Sequence, residues 1–208
     1  MRKEQHIQLK YLVQLPKAYH SKSYEEWPLI LFLHGAGEKG HELDIVKRFG
    51  PPKIADEKDL PFVIVSPQCP FGNRWTLLIE QLYDILKEVI IKYRVDTKRI
   101  YLTGLSMGGF GTWAMAIKFP DIFAAIAPVC GGSQPQYARK IKHIPCWVFH
   151  GENDKVIPVE SSREMVYELN NLNANIKYTE YKDVGHDSWT PAYNDSELFE
   201  WFLEQKKK

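Results

Sequence analysis

Gly104-Leu105-Ser106-Met107-Gly108 is the stretch of this sequence that decides its fold. A β-branched and aromatic run, Arg99 to Thr103, precedes it, and a helix-like segment from Gly109 to Ile117 follows it. In such a strand–turn–helix, the serine is driven into strained backbone angles that push its hydroxyl into solvent. The flanking glycines avoid collisions with the neighbouring strand and helix. The pattern predicts an exposed, reactive Ser106, and the alternative is a glycine-rich turn with an idle serine.

Strands alternate with helices along the rest of the chain. Apolar runs and alternating patterns predict strands at Ile7–Leu15, Pro28–Leu33, Phe62–Val65, Phe123–Val129, Cys146–Phe149 and Ile176–Tyr181. Apolar residues three to four apart predict helices over Leu78–Tyr93, Val159–Leu169 and Glu197–Leu203. This order predicts an α/β fold, a three-layer α/β/α sandwich around a mostly parallel central sheet. Only the short segment from Gly131 to Ile144 offers room for a lid, so no large cap domain is expected.

The bulk properties narrow the function classes. The chain has 208 residues, 44% of them hydrophobic and 25% charged, which suits one domain over residues 1–208. A formal net charge of +1 gives no reason to expect nucleic acid as a partner. No apolar stretch is long enough to insert through a bilayer, and the first six residues lack the apolar core of a signal peptide. The three cysteines favour reduced thiols and a cytoplasmic location, and the alternative is a periplasmic protein whose signal peptide has been removed. The oligomeric state is left open.

Three polar residues follow three of the predicted strands. Ser106, Asp154 and His186 each come directly after an apolar run, and parallel strands deliver such residues to one edge of the sheet. A serine hydroxyl needs a base that removes its proton during attack, and His186 is the candidate. Asp154 would hold the other ring nitrogen and stabilise the imidazolium. The aspartates that compete with Asp154 for this position are Asp121, Asp183 and Asp187.

A glycine turn after another predicted strand supplies the candidate groups that bind the oxyanion. His34-Gly35-Ala36-Gly37 follows the Pro28–Leu33 run. A tight turn there aims a backbone N–H, that of Ala36, at a developing oxyanion. The N–H of Met107, at the head of its helix, is the predicted second donor.

At this point the chain resembles the α/β-hydrolase superfamily. Within it, the sequence is similar to the small lidless serine esterases of the phospholipase/carboxylesterase and polyhydroxybutyrate-depolymerase-like groups. The residues that carry the resemblance are spread over most of the chain: His34-Gly35-Ala36-Gly37-Glu38, Pro67-Gln68-Cys69-Pro70, Gly104 to Gly109, His150-Gly151-Glu152-Asn153-Asp154 and Gly185-His186-Asp187-Ser188-Trp189. The order Ser, Asp, His matches that superfamily. The resemblance implies a serine hydrolase that cleaves small carboxylic esters through an acyl-enzyme.

The substrate-binding residues are less specific. Gln68, Trp75 and Trp189 are candidates, with Phe71 and Tyr193 in the same predicted rim loops. The aromatic residues line an acyl or aryl pocket or simply pack the loops over the sheet. Gln68 binds substrate or braces its turn.

The remaining histidines and acidic residues near the predicted site do not indicate a metal or a cofactor. Glu38, His41 and Asp44 fit no ligand spacing, so no metal is expected, and the chemistry needs no cofactor. His34 and His150 each precede a glycine at a strand end and are expected to make local hydrogen bonds. The alternatives to a small-ester hydrolase are a thioesterase, a polysaccharide-ester deacylase or a small peptidase on the same three residues. A non-catalytic binding protein is the remote alternative.

Overall fold

A central seven-stranded sheet organises the protein. The structure is a computed structural model, which describes residues 8–207. Its strands are β1 (Tyr11–Gln14), β2 (Trp27–Leu33), β3 (Val63–Pro67), β4 (Val95–Leu105), β5 (Ala125–Val129), β6 (Cys146–Gly151) and β7 (Ile176–Tyr181). The strand order is β1-β3-β2-β4-β5-β6-β7, with β1 antiparallel and all other neighbours parallel. The prediction of a mostly parallel sheet is confirmed.

Helices connect the strands. They are α1 (Gly50–Glu57), α2 (Ile79–Lys92), α3 (Met107–Lys118), α4 (Ala138–Ile141), α5 (Glu160–Asn171), α6 (Trp189–Asn194) and α7 (Ser196–Glu204). Short 3-10 turns lie at Ala36–Glu38, Leu43–Arg48, Trp75–Leu77 and Pro135–Tyr137. No helix within residues 8–207 is long and apolar enough to cross a membrane.

Two hydrophobic cores lie on opposite faces of the sheet. The first contains buried residues of α2, α3, α4 and α5, among them Leu82, Trp113 and Met165. The second contains buried residues of α1, α6 and α7, among them Ile54 and Phe202. Strands β2, β3 and β5 are buried along their whole length, because helices cover them on both sides. The three-layer α/β/α prediction is therefore confirmed.

Several element boundaries differ from the sequence prediction. The first strand begins at Tyr11 rather than at Ile7, which lies outside the described residues. Strand β4 begins four residues before the predicted run, at Val95, because it also pairs with Trp27 at the start of β2. Helices α1, α4 and α6 were not predicted. The first carries glycine and two prolines in its first turn and the other two are at most six residues long, so none shows a sustained apolar repeat.

The turn around Ser106 is closely packed on both sides. A Cβ added at Gly108 would lie 1.8 Å from the carbonyl oxygen of Leu33, and one at Gly104 would lie 2.5 Å from the carbonyl oxygen of Gly108. Both obstacles are backbone atoms, which cannot rotate away. The glycines therefore let the end of β4 and the start of α3 approach β2, as the sequence predicted.

We expect Gly108→Ala to destabilise the protein by at least about 3 kcal/mol, because its methyl group would displace the backbone of β2. Gly37→Ala is the matched control, since a Cβ at Gly37 meets nothing within 4 Å. Urea unfolding of both variants measures the difference. A Gly108→Ala protein as stable as the control would contradict this account of the turn.

Candidate active site

Ser106 lies at the sharp turn between β4 and α3. Its φ of 53° and ψ of −114° are outside the ordinary regions for a residue with a side chain. Its N–H donates to the carbonyl of Val129, 3.0 Å away, and its carbonyl accepts from the N–H of Phe110 at 3.2 Å. These bonds to β5 and to the first turn of α3 hold the strained backbone in place. The side chain is left partly exposed at the edge of the sheet.

Two further side chains converge on Ser106. His186 Nε2 lies 3.0 Å from Ser106 Oγ, and His186 Nδ1 lies 2.7 Å from Asp154 Oδ2. An ionised carboxylate only accepts hydrogen bonds, so Nδ1 carries the proton and Nε2 accepts from the serine hydroxyl. The three residues follow β4, β6 and β7. The structure thus brings together the three side chains that the sequence singled out.

Asp154 is held as an anion in a buried turn. Burial by itself would raise the pKa of its carboxyl group, but hydrogen bonds outweigh that effect and lower the pKa overall. The donors are His186 and the backbone N–H groups of Val156 and Ile157, which lie 2.8 and 3.0 Å from Oδ1.

The competing aspartates lie elsewhere. Asp121 carries an almost fully exposed side chain near His143, and Asp187 accepts from the N–H and hydroxyl of Thr190. Asp183 is an exposed turn residue with a φ of 59°.

His150 supports the same turn from below. Its Nε2 lies 3.0 Å from the carbonyl oxygen of Ile157 and 3.2 Å from Asp154 Oδ2. Both neighbours are acceptors, so this nitrogen carries a proton. Nδ1 lies 2.7 Å from the hydroxyl of Ser162, and His150 and Ser162 are both fully buried. His150 makes the hydrogen bonds expected of it, to Ser162 and Ile157, and its ring lies beside the Asp154 carboxylate.

His34 shapes the glycine turn after β2. Its Nδ1 donates to the carbonyl of Gly35 at 2.6 Å, and its Nε2 accepts from the N–H of Cys69 at 3.0 Å. Burial lowers the pKa of His34 to about 4, with the backbone bond to Gly35 opposing the shift. A second proton would also bring two N–H groups against each other. His34 therefore stays neutral. Its bond to Gly35 is local, as expected, whereas the bond from Cys69 joins the glycine turn to the segment after β3.

The two predicted oxyanion donors both begin helical turns. Ala36 is the first residue of the Ala36–Glu38 turn, and Met107 is the first residue of α3. The N–H groups of a first helical turn have no intrahelical partner and are free to bind an anion. Ala36 is exposed and Met107, the residue after Ser106, is partly exposed.

Cys130 adjoins this cluster. Its sulfur, a carboxylate oxygen of Asp154 and a ring nitrogen of His186 all lie within 4.8 Å of one another. Burial raises the pKa of the Cys130 thiol to about 12, so it is neutral at physiological pH. A metal would need the thiolate and the atoms already engaged in the Asp154–His186 bond, so this donor set fits a metal poorly.

Gln68 and Trp75 lie below the surface. Gln68 is 2% exposed, and its amide nitrogen donates to the carbonyls of Glu38 and Glu42 at 3.3 and 2.8 Å. These contacts correspond to the second of the two roles expected for Gln68, in which it braces its turn. Trp75 is fully buried and donates from its indole nitrogen to the carbonyl of His34 at 2.8 Å. It begins a 3-10 turn rather than lying in an open loop, and one edge of it borders the cavity beside Ser106.

The remaining rim aromatics divide into three environments. Trp189 begins α6 and packs edge-on against His186, with ring centroids 5.2 Å apart. Tyr193, predicted in a rim loop, instead lies in α6 in the second core, where its hydroxyl lies 2.9 Å from that of Thr103. The ring is buried because α6 packs against α1, α7 and β6. Phe71 is exposed in a turn, as the loop prediction required.

An apolar cavity opens beside Ser106. Its volume is about 360 Å³, and its lining residues are Arg74, Trp75, Thr76, Ser106, Met107, Phe110 and Ile157. Of these, only Trp75 was a sequence candidate for binding. Ser106 and Met107 were candidates for other roles in the site. Arg74, Thr76, Phe110 and Ile157 come from the turn at Trp75, the first turn of α3 and the segment after β6, and no residue pattern marks them as a pocket.

Comparison with known proteins decides the family. A sequence model for PETase, PET hydrolase-like proteins, matches residues 78–202, more than half of the chain. The chain belongs to the PET hydrolase-like family. This match, together with esterase neighbours of the same fold, confirms the predicted resemblance to the α/β-hydrolase superfamily.

Individual members and neighbours are similar over different lengths. The chain is 34% identical to a thermostable esterase of known crystal structure, with a TM-score of 0.87, over 98% of this chain and 61% of that one. It is 30% identical over 138 residues to the bifunctional acetylxylan esterase/xylanase XynS20E of Neocallimastix patriciarum. It is 43% identical over 61 residues to poly(3-hydroxyalkanoate) depolymerase C of Paucimonas lemoignei. These matches cover 62% and 29% of this chain, but only 20% and 14% of the two relatives.

Titration of His34 predicts a pH-dependent stability. The pKa of His34 in the folded protein, about 4, lies below its ordinary value of 6.5. Between these two pH values the unfolded chain binds a proton at His34 and the folded chain does not, so the free energy of unfolding depends on pH. The contribution of neutral His34 to this free energy is fully present above pH 6.5 and is lost as pH falls towards 4. We expect wild type to lose up to about 3 kcal/mol at pH 4 relative to His34→Gln, which does not titrate. Urea unfolding from pH 7.5 to pH 4 measures it, and parallel curves for the two proteins would contradict a neutral His34.

Proposed function

We propose that this chain is a serine hydrolase that cleaves carboxylic esters through an acyl-enzyme. The observation that carries the proposal is the continuous line of hydrogen bonds from Ser106 Oγ through His186 to Asp154, at 3.0 and 2.7 Å. A serine, a histidine and a buried carboxylate in this geometry can generate a nucleophile at neutral pH.

In the first half of the proposed reaction, Ser106 Oγ attacks the ester carbonyl while His186 Nε2 takes its proton. Asp154 keeps the other ring nitrogen protonated and stabilises the imidazolium that forms. The N–H groups of Ala36 and Met107 bind the oxyanion. Binding of the oxyanion is usually the largest electrostatic contribution to catalysis, and the loss of one such donor typically lowers the rate on the order of a hundredfold.

In the second half, His186 returns the proton to the leaving alkoxide, which leaves Ser106 acylated. Water then attacks the acyl group with His186 again as base, and the carboxylic acid is released. Each step uses side chains and backbone groups of this chain together with water. Since the base must be unprotonated, the rate falls in acid.

The relatives suggest two kinds of ester. One is named as an acetylxylan esterase and xylanase and another as a poly(3-hydroxyalkanoate) depolymerase. Because the chain spans a small part of each, their substrates are candidates here. Deacylation of a polysaccharide ester is the second candidate function, and the acetylxylan esterase match over 138 residues favours it.

Ser106→Ala tests the nucleophile. We expect wild type to hydrolyse short p-nitrophenyl esters and the variant to lose at least about a thousandfold in rate, because it lacks the proposed nucleophile. Initial rates on esters from acetate to palmitate measure this. Ser23→Ala is the control. Ser23 is exposed and distant in sequence from Ser106, so we expect this variant to keep the wild-type rate.

The same preparation separates the alternatives. The rates of hydrolysis of matched oxygen esters, thioesters and amides distinguish an esterase from a thioesterase and a peptidase. The rate on acetylated xylan tests the polysaccharide-ester deacylase. An inactive wild type on all of these would overturn the proposal in favour of a binding protein.

His150 is proposed as a positioning residue that acts through the Asp154 turn. We expect His150→Phe to lower kcat about tenfold with little change in KM for a short ester, because the carboxylate loses a fixed neighbour rather than a substrate contact. His150→Gln, which keeps a donor, should recover most of the loss. An equal fall in kcat for both variants, at unchanged thermal stability, would contradict this role.

A further inference from the structure

We propose that a second subsite adjoins Ser106 and holds an uncharged, hydroxyl-bearing ring on one side of the ester that is cleaved. This inference rests on the proposed ester hydrolysis and names the class of substrate for it.

A second cavity adjoins the one beside Ser106. Its volume is about 460 Å³, and Thr76 and Phe110 line both cavities. We call the two adjoining cavities the cleft, because a substrate with its ester at Ser106 can reach the second cavity by passing these two residues. A volume of this size is typical of small-molecule sites.

Helix α3 forms one wall of the second cavity. Phe110, Ala114 and Ile117 line it, and their spacing of four and three residues places them on one face of the helix. The small Ala114 leaves space between the two larger side chains. Because Ser106 immediately precedes α3, this wall is rigidly connected to the proposed nucleophile.

The segment after β5 and the start of α5 form the other wall. The lining residues there are Gly132, Ser133, Gln134, Tyr137, Ser161 and Glu164. A Cβ at Gly132 would lie 2.9 Å from the Cβ of Ser161 and 3.2 Å from a ring carbon of Phe110, so the backbone itself closes this side. The segment that the sequence marked as the place for a lid therefore lines the cleft.

The chemistry of the walls favours a ring. Phe110 and Tyr137 are large apolar side chains that remain 36% and 40% exposed although both border the cavity. Aromatic faces pair with flat rings and with the C–H face of sugars. The hydroxyls of Ser133, Tyr137 and Ser161 and the amide of Gln134 offer hydrogen bonds to hydroxyl groups on such a ring.

The charge of the second cavity disfavours an anion there, whereas Arg74 lines the adjoining cavity beside Ser106. Glu164 is the one charged side chain among the described residues that line the second cavity. A carboxylate on the substrate would face this side chain with like charge, so an uncharged ring is preferred. A phenol and a pyranose both satisfy these requirements, and the experiment distinguishes them.

The experiment compares matched esters with and without the ring. The pairs are 2-(4-hydroxyphenyl)ethyl acetate with ethyl acetate, methyl 3-(4-hydroxyphenyl)propanoate with methyl propanoate, and an acetylated methyl xyloside with ethyl acetate. They place the ring on the alcohol side, on the acyl side and as a sugar. We expect wild type to have a higher kcat/KM on the ring-bearing member of at least one pair.

Two variants locate that preference in the cleft. Ala114→Trp fills the space between Phe110 and Ile117 and should lower kcat/KM for the preferred ring ester about tenfold, while the small ester changes less than about twofold. Tyr137→Ala should lower it about three- to tenfold. Tyr167→Ala, which removes an exposed tyrosine of α5 outside the cleft, is the matched control and should leave both esters unchanged.

The charge argument has its own test. On a ring ester that carries a carboxylate in place of the hydroxyl, Glu164→Gln should raise kcat/KM several-fold. Glu57→Gln, at the exposed end of α1, should not.

Failure of this inference differs from failure of the proposed function. If wild type cleaves small esters but shows no ring preference, or if Ala114→Trp lowers both members of a pair equally, the subsite is overturned and ester hydrolysis stands. If wild type cleaves none of the esters, 2-(4-hydroxyphenyl)ethanol and methyl xyloside are titrated directly by NMR. Shifts that vanish in Tyr137→Ala but persist in Tyr167→Ala support the subsite, and the absence of shifts overturns it.

Discussion

The close approach of three backbone segments at Ser106 is the constraint on which the rest of the site depends. The end of β4 turns into α3 with a positive φ at a non-glycine residue, a conformation that the bonds to Val129 and Phe110 maintain. Gly108 must lack a side chain because the carbonyl of Leu33 occupies the space where one would begin. Because β2 lies so close, the glycine turn that follows it is brought beside the serine. The proposed nucleophile and both proposed oxyanion donors therefore depend on one packing contact.

Around this contact the site is assembled from the ends of parallel strands. The turns that carry Asp154 and His186 touch through their backbones, since a Cβ at Gly151 would lie 2.1 Å from the carbonyl of Gly185. His150 extends the arrangement below the surface, where it contacts both the Asp154 carboxylate and the carbonyl of Ile157. The buried polar residues thus form a supporting layer, and the reactive atoms are presented above it.

The sequence predicted those features that rest on short-range pattern and chain order. Continuous apolar runs identified β2, β3 and β5, because such runs are stable only when helices cover both faces of the strand. Ser106, Asp154 and His186 were found because each follows a strand in a parallel sheet, where position along the chain fixes position in space. Their proximity in the structure agrees with that argument.

Features that depend on tertiary packing were not predictable in the same way. The sequence predicted Trp75 and Tyr193 to lie at the rim of the site, but the first is buried against His34 and the second lies in α6, where its hydroxyl contacts that of Thr103 in β4. Phe110 and Tyr137 line one cavity because the segment after β5 and helix α3 form its two walls, and neither residue carries a local sequence signature. No sequence pattern indicated that His150 lies beside Asp154, since a histidine before a glycine is compatible with many environments.

The chain order of the three strands also sets when the site can exist. Ser106 is made at the end of β4, whereas His186 follows β7, the last strand of the sheet and one of its edges. During synthesis, the amino-terminal part of a domain emerges first. A chain that ends after β5 contains Ser106 but not yet the residue proposed as its base. Pairing of β7 with β6 then brings His186 to Ser106, so the proposed catalytic group is completed only with the last strand of the sheet.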